Sequence, residues 1–259
     1  AFQLAYEVVA RWEGPLTTRS GAARVTRDVL TLAGQLSDHL LTTDELREHP
    51  DSLTTLIATL PPGPRQRAAP SKALTTIADV QGHRDELADL VDAVAARMRA
   101  ESALDHGSQM ALAATLARDH PEVGEAERGA FRVVLLDEYQ DTGHSQRVLL
   151  ASLFGGGRTP VPAVTAVGDP MQSIYGWRGA SASNLDRFRA DFPLADGRGA
   201  HVRELTTSWR NPPEVLALAN RVTGPLRDRP GSIPVPQLRA RPGAEPADLR
   251  AALVDTAED

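Results

Sequence analysis

The segment VVLLDEYQDT, residues 133–142, places two carboxylates directly after a run of apolar residues, two of them β-branched. Such a run predicts a strand that is buried on both faces of a parallel sheet. At its end, Asp137 could hold Mg²⁺ and Glu138 could orient and deprotonate an attacking water, as phosphoryl transfer requires. The structural alternative is an acid that caps the next helix beside a solvated glutamate. The apolar run before the acids and the polar residues after them favour the chemical interpretation.

The segment AVGDPMQSIYGWRGAS, residues 166–181, carries an amide and two aromatic rings after a second apolar run. We expect Gln172 to face a nucleotide, and Tyr175 and Trp177, beside Arg178, to face a nucleic acid strand. Aromatic rings beside a cation bind single-stranded bases without sequence preference, and each stacked base contributes roughly 1–3 kcal/mol. The alternative is a pair of core aromatics under a turn. Neighbouring glycines favour an exposed, tightly bent loop.

The segment ELTTSWRNPPEVL, residues 204–216, places Arg210 between a third candidate strand and a helix start. A guanidinium there can point at a phosphate that carries transition-state charge. Trp209 can stack on a nucleobase. The alternative is a surface arginine beside a core tryptophan.

The elements that must position these residues are strands that alternate with helices, which predicts an α/β layered domain. The candidate strands begin near Phe131, at Ala163 and at His201, and the Pro pair at 212–213 marks a helix start. In such sheets ligands collect at the carboxyl ends of the strands, where these polar clusters lie.

The first third, residues 1–117, is predicted to be helical, and PPGPRQRAAPSK, residues 61–72, is predicted to be an exposed loop. Two apolar stripes recur at helical spacing: Val25, Val29, Leu32, Leu36 and Leu40, followed by Leu87, Leu90, Val91, Val94 and Met98. After Val222 the chain is rich in Pro and Gly, which predicts a linker before LRAALVD, a candidate strand.

The composition excludes several kinds of site and of protein. The 259 residues contain no Cys, which excludes disulfides and thiolate metal sites, and no apolar run is long enough to span a membrane. We therefore expect a soluble, cytoplasmic protein with no membrane partner. The net charge of -6 argues against a surface that is basic throughout. Because the chain begins without Met, inside an apolar helical pattern, we expect it to be a piece of a longer polypeptide.

The three segments DEYQDT, GDPMQSIYGWRGA and TSWRNP, in this order, resemble motifs II, III and IV of the UvrD/Rep family of superfamily 1A helicases. The resemblance covers roughly residues 104–222 closely, and it implies a DNA repair enzyme that hydrolyses ATP and moves 3′ to 5′ along single-stranded DNA. In local sequence the chain is also similar to the actinobacterial AdnA/AdnB helicase-nuclease subunits. This similarity makes a second such subunit a candidate partner.

The resemblance also implies a role for each matching residue. Asp137 resembles the family's Mg²⁺ ligand, and Glu138 its catalytic base. The phosphate contacts are expected from Gln172 and Arg210. Trp209 stands where the family usually has an adenine-stacking tyrosine.

The same resemblance implies strand-stacking roles for Tyr175 and Trp177 and a DNA-phosphate contact for Arg178. It further implies an incomplete RecA-like parallel sheet of the P-loop NTPase fold. The expected domains are a mainly helical inserted subdomain over 1–103, a RecA-like motor portion over 104–224, and a Pro/Gly-rich linker with the start of a following domain over 225–259.

One part of such a motor is missing from this sequence. An ATP-phosphate loop requires GxxxxGK followed by Ser or Thr, and the chain's single lysine, Lys72, has no preceding glycine pattern. We therefore expect the chain alone to hydrolyse ATP negligibly.

Two other functions are weaker alternatives to the helicase motor. Asp137, Glu138, Asp141 and Asp169 could gather two metals in a nuclease, although such sites often need a nearby lysine. The chain could also be a catalytically silent scaffold that binds DNA or a partner within a helicase-nuclease complex.

Overall fold

The computed structural model describes residues 1–18, 20–61, 63, 70–156, 161–228 and 233–250. The chain divides into two compact units: a helical unit of residues 1–130 and 143–154, and an α/β unit of residues 131–142 and 155–259. The predicted α/β class with a helical first third is confirmed. The predicted domain boundaries after residues 103 and 224 stay predictions.

The helical unit contains seven helices among its described residues. They are α1 (Phe2–Ala10), α2 (Ala22–His39), α3 (Thr43–Thr59), α4 (Lys72–Ala100), α5 (His106–Asp119), α6 (Pro121–Ala130) and α7 (His144–Phe154). Most of the predicted loop at 61–72 lies outside the described residues. Among those described, no helix combines the length and apolar character needed to cross a membrane.

The core of this unit forms where α1, α2 and α4 pack together. Both predicted stripes face it: every residue of the α4 stripe is buried, as are the first four of the α2 stripe. The fifth, Leu40, lies just past the end of α2 in the left-handed conformation. Burying one Val or Leu side chain stabilises a fold by roughly 1.5–3 kcal/mol, so the two stripes account for the pairing of the long helices.

Side-chain caps fix where three of these helices begin. Thr42 and Glu45 form a reciprocal capping box at α3, and the hydroxyl of Ser71 accepts the Leu74 N–H at α4. Asp105 accepts the Ser108 N–H at α5, at 2.7 Å. Each cap satisfies backbone donors that a helix start leaves without a partner.

The α/β unit contains four short strands and two helices among its described residues. They are β1 (Val133–Leu136), β2 (Ala163–Ala166), α8 (Ser183–Asp191), β3 (Thr207–Ser208), α9 (Pro213–Arg227) and β4 (Arg239–Ala240). Three single turns of 3-10 helix occupy Tyr139–Asp141, Pro170–Gln172 and Gly176–Arg178. β1 pairs with β2 in parallel, with Val133 opposite Ala163 and Leu136 opposite Ala166.

The first two predicted strands are confirmed, but the expectation that β1 is buried on both faces is wrong. Val133 and Leu135 are 61% and 76% exposed, whereas Val134 and Leu136 are half-buried. Successive residues of a strand point to opposite faces, and no described element of the unit covers the face that carries Val133 and Leu135.

The third candidate strand differs from its prediction in length and in partner. Only Thr207–Ser208 is a strand, and it pairs in parallel with β4 instead of joining the β1–β2 sheet. The side chain of Asn220, on α9, holds the backbone of Leu238 by two hydrogen bonds of 2.8 and 3.2 Å, which brings β4 alongside β3. The predicted helix start at the Pro pair is confirmed in α9. Most of the candidate strand LRAALVD lies outside the described residues.

Candidate functional site

The two carboxylates after β1 are exposed and sit on an unusual backbone. Glu138 has a φ of 48°, in the left-handed region that non-glycine residues rarely adopt. Its N–H donates to Oδ1 of Asp137 at 2.9 Å. Because left-handed backbone reverses the chain direction sharply, Asp137 and Glu138 present their side chains at the strand end instead of continuing the ladder.

A buried amide lies behind these acids. Gln140 is 1% exposed, and its Nε2 donates to Oε2 of Glu138 at 2.7 Å. Its Oε1 accepts the backbone N–H of Asp169 at 3.0 Å. An N–H can only donate and a carboxylate can only accept, so one orientation of the amide satisfies both contacts. Gln140 therefore links the end of β1 to the segment that follows β2.

The amide predicted to face a phosphate is tied to the same network. Asp169 accepts the Met171 N–H at 2.9 Å through Oδ1, and the Gln172 side chain at 2.8 Å through Oδ2. A hydrogen-bonded chain thus runs from Glu138 through Gln140 and Asp169 to Gln172. The structure brings Asp137, Glu138 and Gln172 to the carboxyl ends of two neighbouring parallel strands.

The aromatic loop, residues 173–181, is anchored at both ends on the turn that follows β1. At its start, the Ser173 hydroxyl donates to the Gln140 carbonyl at 3.2 Å. At its end, the Ser181 N–H donates to the Thr142 carbonyl at 3.3 Å. The Asn184 side chain donates to that same carbonyl at 2.7 Å. One turn of chain therefore contacts the acids on one side and the aromatic loop on the other.

The rings of the aromatic loop are accessible. Trp177 is 74% exposed and Tyr175 is 39% exposed, which excludes a core role for Trp177. Their ring centroids lie 6.5 Å apart, with the ring planes tilted by 52°. The side chain of Arg178, the expected DNA-phosphate contact, lies outside the described part of the structure. The side chains of Tyr175 and Trp177 therefore both present solvent-exposed surface.

Arg210 and Trp209 lie elsewhere in the α/β unit. Both are exposed, Trp209 to 75%, and both directly follow β3. Because β3 belongs to a different sheet from β1 and β2, one sheet edge does not gather all the predicted phosphate-side groups. Among the described residues, no hydrogen bond or ion pair joins Arg210 to Glu138 or Gln172.

The donor set at the end of β1 fits a magnesium ion held through one carboxylate. Asp137 is exposed, and only its Oδ1 is engaged within the described chain. Mg²⁺ is commonly held by one or two carboxylates together with waters and substrate phosphates. In the described residues, no three His, Asp or Glu side chains converge as metal ligands. Asp169, a ligand in the nuclease interpretation, is instead occupied by hydrogen bonds from Met171 and Gln172.

Sequence reasoning gave no role to three residues that build this site. Gln140 and Asn184 are buried amides whose partners lie 29 and 42 residues away in the chain. Gly168 packs so closely that a Cβ there would lie 2.7 Å from Oε1 of Gln140. Polar residues at such separations carry no periodic signal. A glycine directly before Asp169 is the one sequence feature that could have pointed to a close approach of the backbone.

Comparison with known proteins agrees with the geometry. The UvrD/REP helicase N-terminal domain model matches residues 25–193, well over half of the chain. ATP-dependent DNA helicase UvrD1 of Mycobacterium leprae is 33% identical over 160 residues, which is 58% of this chain and 20% of that protein. ATP-dependent DNA helicase Rep of Salmonella typhimurium is 32% identical over 194 residues, 74% of this chain and 26% of that protein.

The chain thus spans about a quarter or less of the length of these curated relatives. The resemblance to AdnA/AdnB stays a prediction. With the family model matched across both acid-bearing strand ends and the aromatic loop, the chain belongs to the UvrD/REP helicase family.

Proposed function

We propose that this chain forms part of the ATP-hydrolysing motor of a DNA helicase that moves 3′ to 5′ along single-stranded DNA. The observation that carries the proposal is the turn Tyr139–Thr142, which contacts Glu138 and Asp169 through Gln140 and both ends of the aromatic loop. A motor must transmit changes at a nucleotide to its grip on a strand, and a turn that contacts both regions provides a short path for doing so.

On the hydrolytic side, Asp137 would hold Mg²⁺, and Glu138 orients and deprotonates the attacking water. Mg²⁺ bound there would neutralise negative charge on the phosphates. Gln172, fixed by Asp169, presents its amide to the terminal phosphate. Arg210 adds a cation that stabilises the transition state. These assignments are supported by the exposure of the acids and by the hydrogen bonds that orient Glu138 and Gln172.

The two exposed residues after β3 act from a separate sheet. Trp209 stacks on the adenine and Arg210 reaches the phosphates when nucleotide is bound. The separation of the β3–β4 sheet from β1–β2 supports a motor in which nucleotide binding draws Arg210 toward Glu138. Closure around substrate is a general way to complete a phosphoryl-transfer site.

On the nucleic-acid side, Tyr175 and Trp177 stack on bases and Arg178 contacts a phosphate. Stacking is tolerant of sequence because every base has a π-face, which suits a protein that must move along DNA. Within the chain, we assign residues 104–224 to the RecA-like motor portion. We assign residues 1–103 to a mainly helical inserted subdomain. Residues 225–259 would be a Pro/Gly-rich linker, which contains β4, and the start of a following domain.

The biological setting that we propose is DNA repair or double-strand break resection in the cytoplasm, with a second helicase-nuclease subunit as partner. The similarity of the chain to ATP-dependent DNA helicases supports the motor. The competing proposal is a catalytically silent scaffold. The hydrogen bond from the buried Gln140 amide to Glu138 speaks against a scaffold, because a scaffold has no need of an oriented Glu138.

The test uses a polypeptide that contains this chain together with an ATP-phosphate loop. We expect its ATP hydrolysis to rise on addition of single-stranded oligonucleotide. Glu138→Gln should lower turnover by about 10²-fold or more, as for loss of a general base, while ATP and DNA are still bound. Glu127→Gln, on α6, is the matched control and should turn over normally. Absence of DNA-stimulated hydrolysis in the unsubstituted protein would favour the scaffold.

A further inference from the structure

Gln140 is the most completely engaged polar side chain of the α/β unit's site. Its Nε2 donates to Glu138 at 2.7 Å and lies 3.4 Å from Oδ2 of Asp141, while its Oε1 accepts the Asp169 N–H. The side chain is 1% exposed. A buried amide placed between two carboxylates offers its N–H edge to both, which offsets their mutual repulsion.

The contact matters because Glu138 would otherwise be poorly ordered. An exposed glutamate side chain has several rotamers, and fixing one of them costs free energy of about 1–2 kcal/mol. The hydrogen bond from a buried, packed donor selects one rotamer before substrate arrives. Misplacing a reacting group by about 1 Å can slow an enzyme by about 10²-fold. A Glu138 carboxylate that is already fixed in place would therefore raise the rate of hydrolysis.

The backbone of the same residue reaches the aromatic loop, since the Gln140 carbonyl accepts the Ser173 hydroxyl at 3.2 Å. Substitution of the side chain leaves that carbonyl in place. The side chain of Gln140 therefore contacts Glu138 and Asp169, whereas its backbone contacts the aromatic loop. A substitution of the side chain tests the first set of contacts alone.

We infer that Gln140 is a positioning residue that holds Glu138 in the orientation needed to activate water and locks it to the Asp169–Gln172 segment. The inference rests on the proposed motor function and deepens it. It assigns Gln140 no contact with substrate. The rival interpretation is that the amide merely stabilises the fold.

Two substitutions separate these interpretations. Gln140→Glu keeps an oxygen that can accept the Asp169 N–H, but it replaces the donor that faces Glu138 with a repelling carboxylate. Gln140→Met keeps the length and packing of the side chain and removes both hydrogen bonds. The matched control is Gln146→Glu, because Gln146 is an exposed glutamine whose Oε1 accepts the Gly143 N–H at 2.8 Å.

The experiment measures steady-state ATP hydrolysis by the polypeptide with an ATP-phosphate loop, at saturating ATP and single-stranded oligonucleotide. The KM for ATP, the half-saturating oligonucleotide concentration and the Tm are measured for each variant. We expect Gln140→Glu to lower kcat by about 10- to 100-fold, the usual effect of losing a residue that orients a functional group. The KM and the half-saturating concentration should stay within about twofold, and Gln146→Glu should behave as the unsubstituted protein.

Three results would contradict the positioning role of Gln140. If Gln140→Glu and Gln140→Met are folded and turn over at the normal rate, the inference is wrong and the proposed function stands. If both variants lose the native fold, or if kcat and KM worsen only in proportion to a fallen Tm, the amide is structural and the inference is again wrong. If the unsubstituted protein shows no DNA-stimulated turnover, the proposed function fails, and the inference fails with it.

Discussion

Tyr175 and Trp177 hold their ring centroids 6.5 Å apart, with planes tilted by 52°, on a loop whose two ends are fastened to Gln140 and Thr142. These hydrogen bonds hold the loop backbone in place while the indole of Trp177 stays 74% exposed. A ring held out by backbone anchors binds with a smaller loss of conformational entropy than a free one.

The two exposed tryptophans give the first prediction. In a polypeptide with an ATP-phosphate loop, Trp177→Ala should raise the half-saturating concentration of single-stranded DNA by roughly 5- to 150-fold, as for loss of one stacked base. Trp209→Ala should instead raise the KM for ATP. The measurement is ATP hydrolysis titrated with oligonucleotide and, separately, with ATP.

The pair serves as its own control, because the indoles are 74% and 75% exposed and neither removal opens a cavity. The Tm should therefore change little in either variant. Equal effects of both substitutions on DNA and ATP would contradict the division of roles. A large fall in Tm for Trp177→Ala would contradict the exposed loop itself.

The second prediction concerns the chain of residues 1–259 by itself. Its single lysine, Lys72, is the first residue of α4, with Ser71 as the N-cap, so it has no glycine-rich turn of backbone N–H groups with which to cradle phosphates. We expect phosphate release from ATP to stay at background even with excess single-stranded DNA. Robust turnover that disappears in Glu138→Gln would overturn this expectation.

The sequence predicted those parts of the molecule whose signal is local. The period of the α4 stripe located the core, and the Pro pair located the start of α9. The acids after β1 were found because an apolar run followed by carboxylates is itself the strand-end pattern. In each case the residues that carry the signal are neighbours in the chain.

What escaped prediction depends on partners distant in sequence. Gln140 acquires its place only when Asp169, 29 residues on, supplies an N–H. β4 lies in a segment predicted to be a linker, and Asn220 on α9 holds it beside β3. The exposure of Leu135 was mispredicted because its burial depends on whether another element covers that face of the strand. The local sequence of a strand does not show which elements will cover its faces.

A third prediction follows from the start of α3. The backbone N–H of Thr42, followed by its hydroxyl, donates to Glu45 and lowers the pKa of that carboxyl. A lowered folded-state pKa means that the unfolded chain takes up the proton first, so this stabilisation is present above the ordinary glutamate pKa and is lost as the pH falls. The difference in unfolding free energy between the unsubstituted chain and Glu45→Gln should therefore shrink toward acidic pH.

The measurement is denaturant unfolding followed by circular dichroism at several pH values. Taking the difference cancels the titration of the other acids. Thr42→Ala, which removes the N-cap hydroxyl, should cost about 1 kcal/mol near neutral pH. A difference between the unsubstituted chain and Glu45→Gln that grows as the pH falls would contradict the capping-box account.

The close approach at Gly168 gives the last prediction. A Cβ at this position would lie 2.7 Å from Oε1 of Gln140, 2.9 Å from Cδ2 of Leu185 and 3.2 Å from the Gln140 backbone nitrogen. The Leu185 side chain can shift, but the amide is held on both sides and the backbone cannot move away. Gly168→Ala should therefore destabilise the α/β unit by about 1–3 kcal/mol, as overpacking does.

Gly176 is the matched control in the same unit, because a Cβ there meets nothing within 4 Å. Gly176→Ala should leave the unfolding free energy within about 0.5 kcal/mol of the unsubstituted value. If Gly168→Ala is equally silent, the amide of Gln140 is free to move, and its contact with Glu138 cannot be the rigid one described above. The stability of Gly168→Ala thus tests whether the Gln140 amide holds the Glu138 carboxylate in place.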